Sequence, residues 1–299
     1  MPQKSKRLDF DAALAKSERP RPVENVTFAE LCSAYCAVAY DDADFRLRKW
    51  ADGIGGRSAW AITRDMLQHC AEAMLAAGYK PSTVNRDVAQ IGTIFKWAKK
   101  KRMTPPSFRS PTADFEWFDE PERIVHANER EIAKLLAGSV ASKDRRFSAF
   151  VRLLHDTGAR RGEVLERRWK DVDLEKRTIL CQFTKTDRPR VLFFTETTAE
   201  LMRRTWPRRE PGALLFEGRI PGAPINYRAA WRELVEGIGR PDLHMHDLRH
   251  VAAQRLLKGG VTVGVASQIL GHSSNILQRR YGHLETSALQ QAALSVLGK

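Results

Sequence analysis

The chain has 299 residues, 42% of them apolar and 29% charged, the make-up of a folded globular protein of about two domains, so disordered and fibrous classes do not fit. Fifty Lys and Arg against 36 Asp and Glu leave a net charge of +14, which favours a polyanionic partner, either nucleic acid or an anionic membrane surface. Residues 1–110 carry 19 basic and 12 acidic side chains and residues 111–299 carry 31 and 24, an excess of seven in each, so the charge is not one basic tail.

Residues 1–26 are basic, contain prolines and lack apolar periodicity, and read as a flexible arm. From Thr27, with Glu30 as its capping partner, a helix puts Phe28, Leu31, Tyr35 and Val38 on one stripe. A second helix runs from Arg64 to Ala77 between Thr63 as N-cap and Gly78 as stop. Pro81 opens a third that ends in Lys99, Lys100, Lys101 and Arg102, a cluster suited equally to the dipole of a solvated helix end and to phosphate contact. Pro105, Pro106, Pro111 and Pro121 place the interdomain connection within 103–122; the helical N-terminal domain is assigned to 27–110, the linker to 111–122 and the second domain to 123–299.

The second domain begins with a capping box, Asn128 to Glu131, and a short helix closed by Gly138. FSAFVRLLHDT is a longer helix ending at Gly158, and another starts at Arg161. TILCQF and RVLFF flank the polar turn Thr184–Pro189, a hairpin signal. Helices then resume with stops at Gly239, Gly259–Gly260 and Gly271, so the expected fold is mainly α with one small antiparallel β-sheet in the second domain. No run of about 18 apolar residues occurs, and charges occupy the N-terminal stretch where a signal peptide needs an apolar core, so a cytoplasmic protein without membrane attachment is expected. Cys32, Cys36, Cys70 and Cys181 form no CxxC pair and read as reduced core residues.

Four segments of the second domain combine phosphate-binding and proton-transfer groups. HDTGARRGEVL sets Arg160 and Arg161 on a tight turn between helices, where a guanidinium can grip a phosphate with two hydrogen bonds; surface charge is the plainer alternative. Lys185 sits at the tip of the hairpin, a position more often only solvated. In HMHDLRH, His246 and Arg249 are three apart on a helix, and His244, His246 and His250 also admit a metal-cluster reading that Arg249 opposes. LGHSSNILQRRY places His272 after a helix stop and Tyr281 nine residues on, with Arg279 and Arg280 adding positive charge beside the phenol. Two arginines, a lysine, two histidines and a tyrosine suit phosphodiester chemistry without metal: a phenol attacks phosphorus when cations stabilise the charge that develops and a base takes its proton.

In that order, TGARRGEVL, TKTDRPR, HDLRH, LGHSS and Tyr281 resemble the signature of the tyrosine recombinases, or phage integrase family. The resemblance covers 123–285 by motif and about 27–110 by helical character. It implies a SAM-like core-binding domain followed by a catalytic domain of the DNA breaking-rejoining fold. It also implies that Arg160 and Arg249 clamp the scissile phosphate and that Lys185 protonates the leaving 5′-oxygen. His246 would act in acid-base transfer, His272 would hydrogen-bond the phosphate and Tyr281 would be the nucleophile, with Glu163 in support and no cofactor or metal. Where relatives often end the hairpin in Val-Pro-Leu this chain has RPRVLFF, a change of packing, and the threonines often found between the histidine and the tyrosine are lacking.

The function so implied is a site-specific recombinase that integrates or excises a phage or mobile element. Double-stranded DNA would be its partner, gripped by both domains, with a homo-tetramer on DNA and the apolar face of LETSALQQAALSVLGK docking on a neighbouring protomer or on its own domain. A tyrosine-type topoisomerase and a DNA-binding regulatory protein are the alternatives.

Overall fold

The structure is a computed structural model that describes residues 26–39, 43–120, 127–182 and 189–271, together with 275, 277 and 278. It divides into two compact units, Met1–Glu122 and Arg123–Lys299.

Among the described residues the first unit holds four α-helices, α1 Phe28–Ala39, α2 Ala43–Ile54, α3 Arg64–Ala76 and α4 Pro81–Lys100. Thr27 and Glu30 cap α1 reciprocally: the Thr27 N–H donates to Glu30 Oε2 at 2.9 Å and the Glu30 N–H to Thr27 Oγ1 at 3.3 Å. Thr63 Oγ1 accepts the Met66 N–H at the start of α3, as its position predicts. The longest helix, α4, sends Val84, Val88, Ile91, Ile94, Phe95 and Ala98 into a core shared with Phe28, Leu31, Leu47, Trp50 and Leu67. Val38, in the last turn of α1, is exposed rather than part of the buried stripe that Phe28 and Leu31 carry. Cys32 takes the buried place instead, while Cys36 and Cys70 are only half-buried. In α2, which the sequence reading passed over, Trp50 Nε1 donates to Asp87 Oδ2 at 3.1 Å; Lys49 Nζ pairs with the same oxygen at 2.6 Å and balances this buried carboxylate of α4.

Residues 103–120 do not behave as a linker. Phe115 is buried in the first core, and Phe108 stacks obliquely on Phe95 with ring centroids 5.2 Å apart. Asn85 brackets Phe118, donating to its carbonyl at 2.8 Å and accepting its N–H at 3.2 Å. Three prolines stiffen this segment, and burial of Phe115 with partial burial of Phe108 and Phe118 holds it to the first unit.

The second unit holds α5 Glu129–Gly138, α6 Arg146–Thr157, α7 Arg161–Leu165, α8 Glu196–Thr205, α9 Arg228–Gly237, α10 Asp247–Lys258 and α11 Val263–Leu270. Its sheet orders β1 Val172–Asp173, β2 Thr178–Cys181 and β3 Arg190–Phe193 side by side, all antiparallel, with Ile179 opposite Leu192 and Cys181 opposite Arg190. The hairpin strands therefore form as their alternation predicts, and β1 is an addition. In α6 nearly every apolar residue is buried: Phe147, Phe150, Val151, Leu153 and Leu154 pack against the sheet and the flanking helices. A smaller core of Ala252, Ala253, Leu257, Val263, Ala266, Leu270 and Leu277 joins α10 to α11.

Candidate active site

Arg160 is set in place by the end of one helix and the start of the next. The helix α6 terminates in the left-handed conformation at Gly158 (φ 57°), where an added Cβ would lie 2.5 Å from Leu270 Cδ2 and 2.8 Å from Ala252 Cβ. Only glycine fits both the dihedral and the space. The turn then presents Arg160 as the residue that opens α7, with its own N–H donating to Glu163 Oε2 at 2.7 Å and its Nη1 to Glu163 Oε1 at 3.0 Å. Glu163 is buried, and burial by itself raises a carboxyl pKa; here the charge of Arg190, then the hydrogen bonds and charge of Arg160, outweigh it and hold Glu163 below its ordinary value.

Arg249 rises from α10 into the same place. The turn before α10 is pinned by Asp247, whose Oδ2 accepts the His244 N–H at 2.6 Å, so the acidic residue in HMHDLRH folds back on its own backbone. Arg249 heads the large fully buried side chains. Its Nη1 donates to Gly158 O at 2.8 Å and its Nη2 to Gly271 O at 3.2 Å. Burial, followed by the nearby charges of Arg190 and Arg160 and opposed by Glu163, pushes the Arg249 guanidinium down to about 9, still protonated at neutral pH. Arg160 Nη2 reaches the same Gly271 carbonyl at 3.1 Å. Gly271 is itself a left-handed helix end (φ 64°) closing α11, so two guanidiniums separated by 89 residues of chain meet on one oxygen, one residue before His272.

His246 stands exposed at the first turn of α10, one turn ahead of Arg249, its ring edge-on to that of His250 with centroids 5.3 Å apart. Lys185, His272 and Tyr281 lie outside the described residues, as do the N-terminal arm to residue 25, Arg279, Arg280 and the C-terminal apolar segment.

One charged group of this site was passed over in the sequence. Arg190, the first residue of β3, donates from Nη2 to Glu163 Oε2 at 2.5 Å and from Nη1 to Ile269 O at 2.9 Å, with its side chain 8% exposed. The altered hairpin ending is therefore an ion pair as well as a change of packing. Strand alternation is the signal that would have found it, since Arg190 shares the inward row of β3 with buried Leu192 while Val191 and Phe193 face out. Near the same turn Asp156 fastens α6 to α8, accepting from the Thr195 N–H at 3.0 Å and from the Thr195 and Thr198 hydroxyls at 2.7 Å each.

A profile of the phage integrase family matches residues 119–287, more than half of the chain. The chain belongs to the phage integrase family. This integrase-family chain is 32% identical over 179 residues to tyrosine recombinase XerA of Saccharolobus solfataricus, covering 59% of the chain and 58% of that relative, so it spans little more than half of XerA's length. It is 26% identical over 254 residues to tyrosine recombinase XerC of Mycobacterium sp. strain KMS, covering 79% and 83%. In fold it is similar to the Tn1549 transposon integrase solved with transposon right end DNA, at a TM-score of 0.73 and 19% identity over 91% of this chain and all of that one.

Proposed function

We propose that this phage-integrase-family chain is a site-specific DNA recombinase that cuts and rejoins duplex DNA through a tyrosyl intermediate without metal or ATP, and that it integrates or excises a phage or mobile element. The observation that carries the reading is the convergence of Arg160 and Arg249 on the one carbonyl of Gly271. Two guanidinium forks aimed at a single acceptor suit a phosphate, whose non-bridging oxygens each take charge-assisted hydrogen bonds.

In the reaction, Tyr281 Oη attacks phosphorus and passes its proton to His246. The bond from phosphorus to the 5′-oxygen breaks, and Lys185 protonates the departing oxygen. The products are a 3′-phosphotyrosyl bond and a free 5′-hydroxyl. Arg160 and Arg249 stabilise the charge on the pentacoordinate transition state, helped by a hydrogen bond from His272, and Glu163 keeps Arg160 in place. The phosphotyrosyl bond retains the energy of the phosphodiester, so a 5′-hydroxyl from a second duplex can reverse the step and exchange strands. The Tn1549 integrase solved with DNA supports duplex DNA as the partner, and four protomers would assemble on it.

The test uses nicked suicide substrates built from the DNA that flanks the coding gene. Tyr281→Phe keeps duplex binding and forms no covalent protein–DNA adduct; an adduct formed by this variant would show that another residue is the nucleophile.

A further inference from the structure

We propose that Arg190 is a positioning residue of the phosphate clamp: by neutralising Glu163 it keeps the surroundings of Arg160 and Arg249 positive towards the scissile phosphate. The inference rests on the recombinase reading above. Glu163 divides its two oxygens, Oε1 taking Arg160 Nη1 and Oε2 taking the Arg160 N–H and Arg190 Nη2. Three guanidiniums and one carboxylate give this quartet a net charge of two. Without Arg190 the whole charge of Glu163 falls on Arg160, the more exposed of the two clamp arginines, and the quartet drops to a net charge of one. The transition state needs the larger value, because a second negative charge joins that of the diester as the phenol attacks.

Arg190 is also built into the clamp's frame. Its Nη1 donates to Ile269 O at the end of α11, and its guanidinium fills the space beneath Gly271, where an added Cβ would lie 3.0 Å from Nη1 and 3.1 Å from Cδ. Its Nε is buried with no hydrogen-bond partner among the described residues.

The experiment measures single-turnover cleavage of a suicide substrate and duplex affinity for wild type, Arg190→Met, Arg190→Lys and the double variant Glu163→Gln with Arg190→Met. Arg190→Met should slow cleavage on the order of tenfold, less than the loss of a direct oxyanion donor, with affinity unchanged. Arg190→Lys keeps the charge and should retain most of the rate. The double variant returns the quartet to a net charge of two and should cleave faster than Arg190→Met alone. Wild-type cleavage by Arg190→Met, or a double variant slower than that single variant, would overturn the proposal. If Arg190→Met does not fold, the comparison moves to Arg190→Lys and the double variant: cleavage by both supports the charge role, and loss of cleavage by a folded Arg190→Lys overturns it. A wild-type protein that forms no adduct refutes the recombinase reading itself, whereas adduct formation with equal rates in wild type and Arg190→Met refutes only this inference.

Discussion

Replacing Gly158 with alanine tests the turn on which both clamp arginines depend, and the structure supplies its own control. At Gly158 an alanine meets two penalties. A left-handed backbone (φ 57°) costs a non-glycine residue about 1–2 kcal/mol, and a Cβ 2.5 Å from Leu270 Cδ2 and 2.8 Å from Ala252 Cβ adds an overpacking penalty of about 1–3 kcal/mol. Gly239 is also left-handed (φ 74°) but has nothing within 4 Å of its would-be Cβ, so Gly239→Ala meets only the first penalty. Both substitutions equally restrict the unfolded chain, so that contribution cancels. Gly158→Ala should therefore destabilise the second unit by about 2–5 kcal/mol and Gly239→Ala by about 1–2 kcal/mol. In calorimetry the larger loss lowers the melting temperature of the second unit by roughly 5–15 °C. Gly158 O also accepts Arg249 Nη1 at 2.8 Å, so Gly158→Ala should slow suicide-substrate cleavage at temperatures where the protein remains folded, while Gly239→Ala should not. Equal destabilisation by the two variants would refute the close approach of α6, α10 and α11 at this point.

Asp156, held at a pKa of about 2, makes the fold acid-sensitive. Burial works against that value, but the bond to His155 and those from Thr195 and Thr198 outweigh it. Because the folded pKa is depressed, its stabilisation of about 2 kcal/mol is present above pH 4 and is lost as the pH falls towards 2. Asp156→Asn should be less stable near neutrality and should lose less between pH 4 and 2; parallel acid-unfolding curves would contradict this assignment. Duplex affinity should fall steeply with salt, with a log–log slope of several units, because a protein that grips phosphates displaces counterions; a slope near zero in filter binding would contradict DNA binding through phosphate contacts.

Elements with local punctuation could be read from the sequence. Thr63, the Asn128–Glu131 box, Gly158 and Gly271 mark helix ends whose backbone groups need a cap or a left-handed residue, and these ends form where expected. Arg160, Glu163 and Arg249 stand in motifs spaced by such ends, and the structure brings them together. In α2 the charges of DFRLRKWADGI conceal an apolar face that carries Leu47, Trp50 and Ile54 among the described side chains. Proline content was misleading for 103–120, because it reports a stiff, non-helical backbone and says nothing of whether its aromatic side chains are buried. Arg190 was missed because ion pairing joins residues 27 apart in the chain, and no local pattern names the partner.

In the proposed recombinase reaction the Gly271 carbonyl has a thermodynamic consequence. On the recombinase reading, the oxygen that accepts Arg160 and Arg249 holds the place of an anionic oxygen, so both forks are already aimed, and Arg249 is already dehydrated, once the chain has folded. Stripping water from Arg249, which depresses its basicity, is an expense of folding and not of substrate binding. On that reading an incoming phosphate would exchange one acceptor for a better one, a neutral carbonyl for an oxygen that grows more negative along the reaction path. Such a substitution requires little motion of the arginines, and its benefit increases as the transition state is approached.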